Sequence, residues 1–159
     1  MDRRPAGAAE LSRAAGLLAA LAAATLAPPG AAAEPFRTKH FEYRILGFTF
    51  SAGYRGYAPP EGRKLAVVEF EARNIDQEPR AVFIGTLHAE RQGVAVRFDE
   101  PQPVPGLADK LFSELPVGAR ETMRFAYEVP SDLSEDSRWA WEPARAGGRR
   151  LPLPVPANP

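Results

Sequence analysis

The chain of 159 residues contains no cysteine. Disulfides are therefore excluded as a source of stability. So are a type-1 copper site, which needs a Cys ligand, and the acylated cysteine that anchors a bacterial lipoprotein. Packing has to hold the fold. Histidine is almost as scarce: His40 and His88 are the only two. A transition-metal site takes three or four good ligands, and beyond residue 33 the only other soft ligand is Met123. The expected roles are a terminal His40 and a solvent-exposed strand residue for His88, with no metal and no cofactor. Net charge is also missing, with 20 basic against 20 acidic residues. That balance gives no electrostatic reason to expect nucleic acid or an anionic membrane as partner. No serine stands in a Gly-x-Ser-x-Gly elbow, no stretch beyond residue 33 holds a helical period, and no internal repeat is visible.

What is present begins with the leader. Arg3, Arg4 and Arg13 precede an uncharged Ala/Leu run over residues 14–27, which Pro28, Pro29 and Gly30 break. Ala31, Ala32 and Ala33 then offer the small residues that a signal peptidase reads. This is the basic, apolar, small order of a secretory signal peptide, with residues 1–33 removed and Glu34 starting the mature chain. The run is shorter than the roughly 20 apolar residues of a membrane span. The mature protein is expected to be periplasmic or secreted, soluble, and free of the membrane after cleavage. Pro5 and Ala6 follow Arg3-Arg4 where a twin-arginine signal has apolar bulk, which favours the general secretion route. The leader takes three of the 20 basic and two of the 20 acidic residues, so residues 34–159 carry a net charge of −1. They are long enough for one domain with a real core.

Period-two alternation runs through that domain. Met123, Phe125, Tyr127 and Val129 point one way, and Arg120, Thr122, Arg124 and Glu128 the other. Ala66, Val68, Phe70 and Ala72 oppose Glu69, Glu71 and Arg73 in the same manner. Such strands suit antiparallel sheets with one wet face. Residues 40–51 change phase: Phe41, Tyr43 and Ile45 share one parity, Leu46, Phe48 and Phe50 the other. Either a β-bulge near Gly47 restores one apolar face, or the strand is buried on both sides. Residues 81–90 and 93–98 read as a hairpin turning at Arg91, Gln92 and Gly93. Trp139 and Trp141 share a face of a later strand, and Gly147-Gly148 turns the chain. Pro152, Pro154 and Pro156 make the last segment an edge strand or a polyproline-like tail. Residues 107–115 fit a short helix or a short strand. The pattern predicts an all-β, antiparallel β-sandwich of seven or eight strands, with an up-and-down barrel as the alternative.

Two stretches carry a resemblance. The first is the alternating strand Lys64-Leu65-Ala66-Val67-Val68-Glu69-Phe70-Glu71-Ala72-Arg73-Asn74, followed by the polar turn Asp76-Gln77-Glu78-Pro79. The second is Leu115-Pro116-Val117-Gly118 with the strand Met123-Arg124-Phe125-Ala126-Tyr127-Glu128-Val129-Pro130. Together the chain resembles, over residues 41–155, the small exported bacterial immunoglobulin-like proteins of unknown function that include secreted immunoprotective-antigen-like members. The resemblance implies an immunoglobulin-like sandwich and brings no catalytic residues with it. Many such proteins are lipoproteins, and the missing Cys departs from that pattern.

For function, the expectation is a non-catalytic binding or structural domain of the envelope or extracellular space, whose partner is a protein or an envelope polymer. The candidate contact residues are Tyr54, Arg55 and Tyr57, in a Gly-bounded loop over residues 53–62. The bland reading of the same rings, and the favoured one, is a lid folded over the end of the sandwich. Arg145, Arg149 and Arg150 form a basic turn, and Asp132, Glu135 and Asp136 an acidic loop whose spacing matches no EF-hand. The catalytic alternative is a small hydrolase or transferase using loop carboxylates and one of Ser51, Ser113, Ser131, Ser134 or Ser137.

Overall fold

The computed structural model describes residues 35–134 and 136–155. The leader, its cleavage site, Glu135 and Pro156 lie outside the described residues. Among those described there is no helix. The strands are β1 (Phe36–Arg37), β2 (Phe41–Ser51), β3 (Arg63–Asn74), β4 (Arg80–Val82), β5 (Thr86–Arg91), β6 (Val94–Phe98), β7 (Pro101–Gln102), β8 (Ser113–Leu115), β9 (Arg120–Pro130), β10 (Arg138–Glu142) and β11 (Leu151–Pro152).

One sheet has the order β1-β2-β3-β9-β7, the facing sheet β11-β10-β5-β6, and β4 pairs β8 separately. Every pairing is antiparallel. Strands β2-β3-β9-β7 stand in the A-B-E-D order of an immunoglobulin domain, and β11-β10-β5-β6 in its G-F-C-C′ order. These eight strands are the predicted sandwich. The extra strands β1, β4 and β8 are two or three residues long and fall in segments too short to show a period.

The alternation builds the core as expected. Phe125, Tyr127 and Val129 of β9 and Ala66, Val68 and Phe70 of β3 are fully buried, with Ala66 opposite Tyr127, Val68 opposite Phe125 and Phe70 opposite Met123. In β2 the register jumps between Ile45, opposite Phe70, and Gly47, opposite Glu69. Leu46 is the extra residue, and half of its surface meets solvent. The bulge keeps Phe41 and Tyr43 before it, and Phe48 and Phe50 after it, on the buried face. Across the sandwich, Trp141 stacks on Phe70 with centroids 4.4 Å apart, and Trp139 meets Phe48 at 5.3 Å and Phe50 at 5.4 Å.

The hairpin β5–β6 turns on Gln92 and Gly93, both at positive φ (52° and 77°), the signature of a two-residue type I′ turn. Its first strand is shorter than the sequence suggests. Residues 80–82 leave the sandwich to pair with β8, and the chain rejoins it past Gly85. A Cβ on Gly85 would lie 2.4 Å from the Trp141 indole, so glycine is required for the backbone to pass there. The final segment takes the edge-strand form, with Leu151 opposite Trp141 and Pro152 opposite Ala140.

Candidate functional site

The loop of Tyr54, Arg55 and Tyr57 is a closed turn. Tyr54 and Tyr57 exchange backbone hydrogen bonds of 2.9 and 2.8 Å, with Arg55 and Gly56 at φ 40° and 87° between them. Both rings are half-buried against a second apolar cluster of Leu65, Val67, Val104, Ala108 and Ala126. Leu65 and Val67 lie on the outer face of β3, beside Ala126 of β9. Tyr57 Oη donates to Glu128 Oε1 at 2.5 Å. That bond, helped by desolvation, pushes the phenol pKa up to about 12. Arg55 is exposed, its guanidinium 5.3 Å from the Tyr54 ring centroid. The structure thus brings the three residues together, but it directs the rings onto the fold as a lid. Only Arg55 and the ring edges face solvent. The four-residue apolar run Leu65-Ala66-Val67-Val68 is the sequence signal for this second layer, since strict alternation would have made Leu65 and Val67 polar.

Each histidine ring lies against a carboxylate. His40 Nδ1 lies 2.5 Å from Asp76 Oδ2, which also accepts from Arg80 Nε at 2.6 Å. The Arg80 bond, then the Gln77 amide, hold the Asp76 carboxyl down at about 2. His88 is buried, not exposed as its alternation phase suggested. It does sit on the outer face of its sheet, but Glu142, 3.1 Å away, and Arg150 cover it. Burial first, then the Arg150 charge, lowers its pKa. Among the described residues, no three His, Asp or Glu side chains cluster as a metal site would need. Ser51 Oγ donates to the Gly53 carbonyl and Ser113 Oγ to Glu121 Oε2, while each histidine faces a carboxylate.

A different surface stands out at the end of the sandwich where β3 leads into β4. Asn74 is fully buried there and acts as the joint. Its Nδ2 donates to the carbonyls of Glu78 (2.8 Å) and Leu115 (2.9 Å), and its Oδ1 accepts from the Asp76 amide (2.9 Å). Its backbone exchanges further bonds with Ala119 and Gly118. The β3–β5 connection is thereby fastened to the β7–β9 connection, and the β4–β8 ladder fastens them again. Five of the nine exposed large apolar side chains among the described residues project from these two connections: Ile75, Phe83, Ile84, Phe112 and Val117. The β4–β8 ladder ends at Val82 and Ser113, so Phe83 and Phe112 are the residues that follow and precede it on its two strands. Arg145, from the β10–β11 turn, lies 4.9 Å above the Phe83 ring. Beside Phe112 an open depression of about 550 Å³ is lined by Lys110, Leu111 and Glu114. Sequence reasoning missed this surface because its apolar residues sit in segments without a period.

No protein-family model matches the chain, and no curated protein matches it. Two solved structures share its fold. One is a conserved hypothetical protein from Bacillus anthracis, 16% identical, covering 76% of this chain and 92% of its own, with a TM-score of 0.50. The other is an uncharacterized beta-sandwich protein from Clostridium difficile 630, 14% identical, covering 76% and 88%, with a TM-score of 0.52. The chain is therefore similar in fold to β-sandwich proteins whose function is not characterised.

Proposed function

We propose that this chain is exported to the periplasm or the extracellular space and works there as a non-catalytic binding domain, holding a protein partner against the Phe83–Phe112 end of its sandwich. The observation that carries the reading is the combination of exposure and anchoring. Phe83, Ile84 and Phe112 meet solvent, yet the segments bearing them are held by a buried Asn74 and a two-strand ladder. Apolar side chains presented on a rigid frame lose little entropy on contact, and aromatic anchors supply most of the energy of an interface. The guanidinium of Arg145 beside Phe83 suits a partner that offers a carboxylate next to its own apolar contact. Export rests on the basic, apolar, small order of residues 1–33.

A photo-reactive phenylalanine analogue at position 112, in cells exporting the full chain, tests both halves. The reading expects a discrete adduct with one protein in the exported fraction, and none from the same analogue at Thr49, an exposed residue of β2. Adducts of equal yield from both positions, or a chain retained in the cytoplasm, would overturn it.

A further inference from the structure

The sandwich has four edge strands, and three are blunted. β1 has two residues; β7 has two and carries Pro101, with Pro103 next; β11 has two, including Pro152, with Pro154 beyond it. Short edges and prolines are how sheets avoid pairing with other chains. The fourth edge, β6, has neither protection. Its five residues Val-Ala-Val-Arg-Phe are strong strand formers apart from Ala95 and Arg97. The facing strand β7 is too short to cover it, so Val94 is 64% and Val96 37% exposed.

We propose that β6 is the seam of a two-fold homodimer, pairing antiparallel with β6 of a second copy and joining the two β11-β10-β5-β6 sheets into one. The hairpin fixes which groups are free. In a two-residue turn, Arg91 and Val94 form a hydrogen-bonded pair. Pairs alternate along the ladder, so Val96 and Phe98 also bond inward to β5. Ala95 and Arg97 then point both N–H and C=O away from the sheet. A two-fold axis through Val96 sets Ala95 against the second copy's Arg97, and each of these two pairs can exchange both backbone bonds. On the inner face Val96 meets Val96, and Val94 meets Phe98, covering the exposed apolar surface. On the outer face Arg97 meets Ala95, so like charges stay apart, and Asp99 holds the guanidinium at 2.6 Å. In-register parallel stacking would set Arg97 beside Arg97 and would not close. The edge is therefore complementary to itself in the closed arrangement.

Sedimentation equilibrium of the purified protein from about 1 μM to about 1 mM spans the relevant affinities. A mass of two chains is expected in the upper part of that range. Ala95→Pro removes an outward N–H without touching the β5 ladder, and proline is tolerated at such positions. It should keep the melt that the wild type shows at the dilute end of the range, where mass action leaves single chains, and should sediment as one chain throughout. Val96→Lys, which sets two like charges on the axis, should do the same, whereas Leu46→Lys, at the exposed bulge, should remain a dimer. Amide exchange at Ala95 and Arg97 should slow as concentration rises. A wild-type protein of one-chain mass throughout, or a dimer that survives both β6 variants, overturns the proposal.

Discussion

Phe70 of β3 and Trp141 of β10 stack across the sandwich with centroids 4.4 Å apart and planes inclined by 31°. These two strands are the B and F strands that a disulfide links in antibody domains. Here the covalent link is replaced by two fully buried rings. The Trp141 indole N–H donates to Tyr127 Oη at 3.1 Å, which donates to the Gly85 carbonyl at 2.8 Å. One tryptophan therefore ties β10 to β3, β9 and the start of β5.

Truncation at this joint should be costly. Phe70→Ala should lower stability by about 3–5 kcal/mol in urea melts, through lost burial and the cavity left behind. Gly85→Ala forces a methyl to within 2.4 Å of the indole and should cost about 1–3 kcal/mol. Arg124, on the wet face and 3.0 Å from Glu69, should lose less than about 1 kcal/mol on truncation to alanine. Equal losses at Phe70 and Arg124 would show the faces to be misassigned.

Removing the Asn74 amide should loosen one end and leave the other intact. Asn74→Ala strands the buried Leu115 carbonyl and frees the turn at Asp76, at a cost of about 1–3 kcal/mol for the unsatisfied group. Amide exchange should accelerate in β4 and β8 before it does in β3 or β9. Uniform acceleration would mean that Asn74 holds the whole domain and not the end.

Asp76 predicts an acid limb. Its folded pKa of about 2 lies below the ordinary aspartate value of 3.8. A depressed carboxyl contributes stability that is full above the unfolded pKa and is lost as pH falls through the folded one. Wild type should therefore lose stability relative to Asp76→Asn as pH drops from about 4 to about 2. Parallel melting curves for the two proteins across that window would remove the Arg80 and Gln77 bonds from the account.

The tyrosine lid makes its own forecast. Tyr54→Ala and Tyr57→Ala should each cost about 1 kcal/mol or more, because their rings cover Leu65, Val67 and Ala126, whereas Arg55→Ala should stay within about 0.5 kcal/mol. Chemical denaturation of the three variants distinguishes a lid from a bare contact surface, on which none of them would matter to stability.

Elements with an uninterrupted period were legible from the sequence. The faces of β3 and β9, the turn at Gln92-Gly93 and the shared face of Trp139 and Trp141 follow from where apolar and turn residues recur, whereas the phase change beside Gly47 left a bulge and a doubly buried strand both open until the register showed the bulge. What escaped depends on tertiary neighbours. The burial of His88 comes from Glu142 and Arg150, which are distant in sequence. Asn74 reads as a turn residue until Leu115, 41 positions away, is brought to its amide. Phe83 and Phe112 look like ordinary core candidates in isolation, and only the folded chain, which leaves both exposed just beyond the β4–β8 ladder, shows that they face outward.

The central claim is that this apolar end serves contact and not stability. The double variant Phe83→Ser, Phe112→Ser tests it in one preparation, with a photo-reactive residue at Val117, exposed on the same β7–β9 connection as Phe112, to report the partner. Phe83 gives up its contact with Arg145, worth about 0.5–1 kcal/mol at an exposed site. The account predicts a stability lowered by no more than about 1 kcal/mol together with loss of the adduct formed when Phe83 and Phe112 are intact. A midpoint that falls by several kcal/mol equivalents while the adduct persists would contradict it.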